Sequence, residues 1–478
     1  MSTFDTFLTE ANALLGPRGL TRDTDLTAPW TTDWRGRFHG ACLALASPAD
    51  TAQLSALVKL CAAHGVTLVP QGGNSGMSGG ATPSPEGNQL LVSLRRMNTM
   101  GAIDVAEQRV TCGAGVVLQS LHEAAEAQGL RFPLTLGGKG SATVGGLIST
   151  NAGGTQVLRH GSMRAMVLGI EAVLASGEVY SALTPLRKDN RGFDLKQLFI
   201  GAEGTLGIVT AAALQLAPAI GERVVIWAAA PSLGAARQLL HRCEEALPGA
   251  VEGFEVLPQP CLDHVLEYLP EARAPLATRA PWHVLIEAVA PRDAPAGSGT
   301  ALRDQCEAAL ASALEKGVIA DATIAANEAQ AEAFWTLRES VSPAERAQGP
   351  AVQHDISVPV ADMPRFIETV SPQLEAEWPG TRAVAFGHLG DGNVHFHMIA
   401  PKGVDAATWY AGEAKAISAR VHDLVTQWNG SISAEHGIGQ LKRDELARLA
   451  DPVALGLLRA VKSALDPQGL LNPGKLMN

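Results

Sequence analysis

Three histidines crowd one short segment, Phe386-Gly387-His388-Leu389-Gly390-Asp391-Gly392-Asn393-Val394-His395-Phe396-His397. Asp391-Gly392 is a turn dipeptide, so the spacing predicts a hairpin with His388 and His395 facing each other across it. His395 and His397 lie two apart and share a face of the second strand. Neutral imidazoles are common ligands of Zn²⁺ and similar ions, and a carboxylate would complete a His₂Glu set with an open position. The candidate carboxylate is Glu435, in Ser431-Ile432-Ser433-Ala434-Glu435-His436-Gly437-Ile438-Gly439. The competing reading is of hydrogen-bonded structural histidines and a capped loop. Spacing alone does not bring residues 388 and 435 together.

A second kind of chemistry is written in glycine. Gln71-Gly72-Gly73-Asn74-Ser75-Gly76 follows an apolar strand, and successive N–H groups in such a loop can cradle a phosphate. By itself the loop could equally be a tight turn. Leu136-Gly137-Gly138, Thr143-Val144-Gly145-Gly146 and Ser149-Thr150-Asn151-Ala152-Gly153-Gly154 follow. Such clustering points to backbone closely approaching a large planar ligand. Neither GxGxxG nor GxxxxGK[ST] occurs, so Rossmann and P-loop sites lack support.

These groups need a scaffold, and 478 residues suffice for two or three domains. Strands are expected at 41–46, 66–70, 90–94, 109–112 and 208–216, a hairpin at 167–181 and helices at 51–65 and 118–129. Beyond a boundary near 218–221 come a strand at 224–230, a helix at 233–247, a surface loop at 291–299, strands at 384–386 and 394–399, and one long helix at 405–428. The class is α+β. The expected domains are a leader (1–40), a cofactor domain (41–217), a substrate or cap domain (218–430) and a C-terminal segment (431–478) returning to the cofactor domain. Six cysteines lack zinc-ribbon spacing and read as buried thiols. Net charge of −11 without a basic block argues against nucleic acid. No apolar run reaches the ~20 residues of a membrane span. Residues 1–16 lack a signal-peptide core, so the cytoplasm is the expected location.

The glycine segments resemble those of the vanillyl-alcohol oxidase and p-cresol methylhydroxylase superfamily. Pro70 to Gly76 is similar to its pyrophosphate loop. Residues 149–154 and Phe199-Ile200-Gly201-Ala202-Glu203-Gly204-Thr205-Leu206-Gly207 are similar to its other FAD-contacting motifs. The resemblance implies a two-part FAD domain of the p-cresol methylhydroxylase type, a cap domain and a C-terminal helical segment. It implies FAD contacts from Gln71, Gly72, Gly73, Asn74, Ser75, Gly76, Thr135, Gly137, Gly138, Gly145, Gly146, Ser149, Asn151, Gly153, Gly154, Glu203, Gly207, Ile208 and Asn472. No histidine lies between His64 and His122, so the expected FAD is noncovalent.

The C-terminal segments resemble the D-2-hydroxyacid dehydrogenase branch, in wording that leans toward its 2-hydroxyglutarate members. The resemblance implies a divalent metal, zinc being the expected ion, on His388, His395 and Glu435, with His436 as catalytic base. It assigns Arg338 and Ser342 to substrate. For Arg338 alone, an ion pair with Glu339 or Glu332 is the competing reading. Two positions depart. Gln353 stands where relatives commonly have Lys, and His397 where the 2-hydroxyglutarate enzymes commonly have Asn; both are assigned to substrate. The implied reaction binds the C2 hydroxyl and C1 carboxylate at the metal, moves the hydroxyl proton to His436 and the hydride to flavin N5. D-lactate or another D-2-hydroxy acid is the alternative substrate. A flavin-free metal hydrolase and a nonenzymatic flavin subunit are the competing classes. The electron acceptor (an electron-transfer flavoprotein, a quinone, a cytochrome or oxygen), the metal and the oligomeric state, a homodimer among the options, stay open.

Overall fold

The computed structural model describes residues 3–186, 188–292 and 301–477. The chain divides into two compact units: Met1–Gly154, His160–Pro218 and Glu435–Asn478 form the first, Thr155–Arg159 and Ala219–Ala434 the second.

The first unit contains β1 (Leu20–Thr21), β2 (Ala44–Ala46), β3 (Leu68–Gln71), β4 (Leu90–Ser93), β5 (Arg109–Gly113), β6 (Leu130–Arg131), β7 (Val167–Val173), β8 (Val179–Ala182), β9 (Ile208–Gln215) and β10 (Ala217–Pro218). One sheet has the order β1-β2-β4-β3, with β2 and β3 both parallel to β4. Parallel neighbours need a crossover, supplied between β2 and β3 by helix Thr51–His64. Its side chains Leu54, Leu57, Val58 and Cys61 form one buried stripe at helical spacing. Asp50 caps its start, and Gly65, in the left-handed region, ends it. Phe7, Leu8 and Ala11 of helix Thr3–Leu15 join the same core, so residues from the expected leader are packed against this sheet. The second sheet is antiparallel, β5-β9-β7-β8, and β6 pairs with β10. The 167–181 hairpin is present, with Gly177 at φ +77 in its turn.

The second unit is built on one antiparallel sheet of β11 (Ile220–Ala230), β12 (Val251–Pro258), β13 (Trp282–Pro291), β14 (Asp321–Ile324), β15 (Ala351–Ser357), β16 (Arg382–His388) and β17 (Asn393–Ile399). The order is β14-β11-β13-β12-β16-β17-β15. Alternation divides its two faces. Ile226, Phe254, Val284, Ile286 and Phe396 enter a core with helices Leu233–Ala246, Leu302–Glu315, Met363–Glu377 and Glu413–Gln427. Trp227, Leu257, Leu285 and Phe386 face the other way, toward helices Gln259–Tyr268 and Glu328–Glu339.

The α+β class is confirmed, with local corrections. The single helix expected at 405–428 is two, Ala406–Ala411 and Glu413–Gln427, because Gly412 (φ −110, ψ −98) leaves helical geometry between them. The strand expected at 224–230 begins at Ile220. Most of the 291–299 segment lies outside the described residues. Five cysteines are buried and Cys42 is half-buried.

Candidate functional site

In the first unit the glycine-rich loops surround a cavity of about 440 Å³. β3 ends at Gln71 and the 72–76 loop begins there. Gln71 is buried, and its amide donates to the Trp30 and Ala81 carbonyls at 2.9 Å, which braces the loop from beneath. Asn74 takes the left-handed conformation (φ +53) and donates to the Thr32 carbonyl at 2.9 Å.

The glycines do two jobs. A Cβ on Gly73 would lie 1.7 Å from the Ser141 carbonyl oxygen, on Gly72 2.2 Å from Thr143 Oγ1, and on Gly154 2.3 Å from the Thr135 carbonyl oxygen. At these three positions protein backbone and side chains already leave no room for a Cβ. Gly76 and Gly137 line the cavity and meet nothing within 4 Å, which suits a ligand at the backbone. Gln71 Oε1 and Thr143 Oγ1 are buried at the cavity without hydrogen-bond partners. A bound polar molecule would satisfy them, so this lining fits a flavin dinucleotide.

Of the residues assigned to FAD, Gln71 to Gly76, Gly137, Gly138, Gly145, Gly146, Ser149, Gly153, Glu203 and Ile208 line the cavity. Thr135, Asn151, Gly154, Gly207 and Asn472 do not. Asn151 Oδ1 instead accepts the Arg164 N–H (2.9 Å) and the Ser162 hydroxyl (3.0 Å). Asn472 donates to the Gly80 (2.9 Å) and Glu203 (2.7 Å) carbonyls, tying the C-terminal segment to the loops. Glu435 and His436 also line this cavity. Ser78 Oγ donates to the His436 carbonyl at 3.0 Å and holds that backbone in place.

In the second unit the 382–399 hairpin forms as expected, with Gly392 (φ +81) in its turn. His388 pairs with Asn393 and His395 with Phe386, so the two histidines are diagonal neighbours across the hairpin, their rings edge to face with centroids 5.5 Å apart. Cross-strand partners share a face of the sheet. Asp355 and Phe386 flank His395, and Gln353 and Val384 flank His397. Asn393 donates to Asp355 Oδ1 at 2.9 Å. Burial, then the neighbouring His388, pushes His395 well below the usual imidazole range. Burial raises the Asp391 carboxyl in the turn.

Sequence reasoning missed Glu255. It lies on β12 directly opposite His388, with no exposed surface. Its Oε1 accepts from His388 Nδ1, and its Oε2 accepts the Arg338 Nε–H at 2.7 Å with Nη2 of the same guanidinium also 2.7 Å away. Burial by itself would raise this carboxyl; Arg338 and His388 outweigh it and hold the group below the usual carboxylate range. Arg338 is thus buried against Glu255 rather than paired on a helix surface with Glu332 or Glu339, and its Cζ stands 5.1 Å over the Phe386 ring. The one available signal was the pair of acids, Glu252 and Glu255, inside the otherwise apolar run Val251–Pro258. Acids in an antiparallel strand more often mark a solvent face.

Within the second unit, the 431–434 segment is tied to β15. Ser431 and Ser357 exchange N–H···O bonds at 2.8 and 3.0 Å, and the Ala434 N–H reaches the Asp355 carbonyl at 3.3 Å. The residue before Glu435 is therefore anchored on the strand that carries Asp355. Two imidazoles and nearby carboxylates are a donor set suited to a divalent ion. No helix among the described residues is long and apolar enough to cross a membrane.

Residues 42–182 match the family described as FAD binding domain, and residues 221–476 that described as FAD linked oxidases, C-terminal domain. The chain is 36% identical over 468 residues to the mitochondrial D-2-hydroxyglutarate dehydrogenase of Danio rerio, across 97% of this chain and 84% of that protein. It is 33% identical over 467 residues to the D-2-hydroxyglutarate dehydrogenase of Stutzerimonas stutzeri (strain A1501), across 98% of each. Among solved structures, p-cresol methylhydroxylase with substrate bound matches with a TM-score of 0.73 at 16% identity, covering 100% of this chain and 97% of that one. An alkyldihydroxyacetonephosphate synthase matches at 0.71 and 18%, covering 98% and 84%. The last two share the fold.

Proposed function

This chain belongs to the FAD-linked oxidase family, and from that premise we propose that it oxidises D-2-hydroxyglutarate to 2-oxoglutarate with noncovalent FAD. The observation that carries the reading is the shared carboxylate of Glu255, which sets an imidazole suited to an ion beside a guanidinium suited to a substrate carboxylate.

His388, His395 and Glu435 would hold a divalent ion, zinc by the family resemblance, whose Lewis acidity would lower the pKa of the substrate's C2 hydroxyl. Arg338 grips a carboxylate with its planar fork, and Ser342 offers a hydroxyl. His436 takes the C2 hydroxyl proton as general base. FAD supplies the acceptor for the C2 hydride. Loss of that proton and hydride leaves the 2-oxo acid. The electrons then pass to an acceptor such as an electron-transfer flavoprotein, a quinone or a cytochrome.

A second reading rests on Gln353. A neutral amide at this strand position holds a distal carboxylate less firmly than an ammonium would. A smaller D-2-hydroxy acid such as D-lactate is then the substrate. Anaerobic stopped-flow reduction against D- and L-2-hydroxy acids, with and without chelator, separates the two. Fast, chelator-sensitive bleaching by D-2-hydroxyglutarate supports the first; fast bleaching by D-lactate alone supports the second. A colourless purified protein would overturn both.

A further inference from the structure

We propose that Glu255 is a positioning residue that serves the ion and the substrate carboxylate together, by selecting the metal-binding nitrogen of His388 and fixing the plane of Arg338. The inference rests on the reading of His388 as a metal ligand.

The geometry is specific. Glu255 and His388 are direct cross-strand partners on β12 and β16. Glu255 Oε1 accepts the Nδ1–H of His388, which makes Nε2, on the far side of the ring, the nitrogen with a lone pair for the metal. Glu255 Oε2 accepts the Arg338 Nε–H and lies 2.7 Å from its Nη2; Arg338 comes from a different element, helix Glu328–Glu339. Phe386 packs on the guanidinium face and touches the rings of His395 and His397, with centroids 5.1 Å away in each case. One fully buried carboxylate thus orients two side chains, one that would meet the ion and one that would meet the substrate carboxylate.

A carboxylate can do this because it has two acceptor oxygens, whereas an amide has one. In Glu255→Gln the single oxygen cannot serve both Arg338 and His388. Arg338 always carries its charge and wins it. The amide NH₂ then faces His388 Nδ1, which must become an acceptor, and the ring proton moves to Nε2. The metal-binding lone pair is lost.

The test uses flavin-loaded, metal-stripped enzyme titrated with Zn²⁺ against a chromophoric chelator, with wild type, Arg338→Met, Glu255→Gln and the double variant Glu255→Leu/Arg338→Met, which has no acceptor for His388 Nδ1–H. The double variant leaves no unpaired charge buried, so it stands in should Glu255→Gln not fold. Arg338→Met is expected to keep wild-type Zn²⁺ affinity and raise KM for the hydroxy acid. Glu255→Gln and the double variant are expected to bind Zn²⁺ about 10–100-fold more weakly. A purely structural ion pair would move the melting temperature and leave Zn²⁺ affinity alone. If the double variant binds Zn²⁺ as tightly as Arg338→Met, the role of Glu255 is overturned and the metal reading stands. If wild type takes up no Zn²⁺, the metal reading fails and this inference with it.

Discussion

Glu203 holds Gly439 by the backbone: its Oε2 accepts the Gly439 N–H at 2.8 Å, while its Oε1 accepts that of Ile438 at 2.7 Å. Glu203 lines the cavity, yet both of its carboxylate oxygens bind protein. Burial raises its pKa, and the two N–H groups oppose that rise. Through this contact the turn that follows His436 is fastened to the loop at residue 203.

Removing that fastening should displace His436. In Glu203→Ala two N–H groups lose their acceptor, at about 1–3 kcal/mol for each one left buried. The expected outcome is a lower melting temperature and a kcat reduced about a hundredfold, the scale of a 1 Å misplacement. Glu203→Gln keeps one acceptor and should fall between. Melting curves and steady-state rates check the order. Equal kcat in all three proteins would sink the idea.

Metal dependence follows from the neighbouring imidazoles. Dialysis against a chelator should lower kcat/KM about a hundredfold or more, in line with the several kcal/mol a Lewis acid contributes. Zn²⁺ should restore it, and the flavin spectrum should persist throughout. His388→Ala and His395→Ala should resemble the stripped enzyme and resist rescue. A chelator-treated enzyme of full activity, with metal analysis confirming removal, counts against the ion.

Gln353 stands opposite His397 on β15 and β17. Gln353→Lys places an ammonium on the same strand position. One charge-assisted hydrogen bond contributes about 1.5–3 kcal/mol, so KM for D-2-hydroxyglutarate should drop at least about tenfold. KM for D-lactate, which has no second carboxylate, should stay put. Parallel changes for both acids would show that this position does not read the distal carboxylate.

What was legible in the sequence was local. Asp391-Gly392 between apolar alternations announced its hairpin, and Asp50 and Gly65 bracketed their helix, because turns and caps are settled by neighbouring residues. The partner of Arg338 was not legible. Glu255 is distant in sequence and reaches it only after helix Glu328–Glu339 packs on the sheet face that carries β12. The glycine clusters gave the right segments for a partly different reason, since Gly72, Gly73 and Gly154 are set by contacts within the protein. Gly412 lay inside a helical pattern, and periodicity alone could not say that it would break the helix.

Acid sensitivity should come partly from a histidine outside the site. Trp227 Nε1 donates to His283 Nδ1 at 3.1 Å, and His283 Nε2 lies 2.9 Å from Gln259 Oε1. Nδ1 must accept, so the ring has to be neutral; burial pulls its pKa from 6.5 to about 4. Below pH 6.5 the unfolded chain takes up a proton that the folded one refuses. The unfolded state therefore binds more protons, and stability falls as pH drops toward about 4. Across that window the loss attributable to this group is about 3 kcal/mol. Urea unfolding at pH 7 and pH 4.5 should show His283→Gln less stable than wild type at the higher pH but losing about 2–3 kcal/mol less on acidification. If wild type and variant lose the same stability between the two pH values, His283 is not a source of the acid sensitivity.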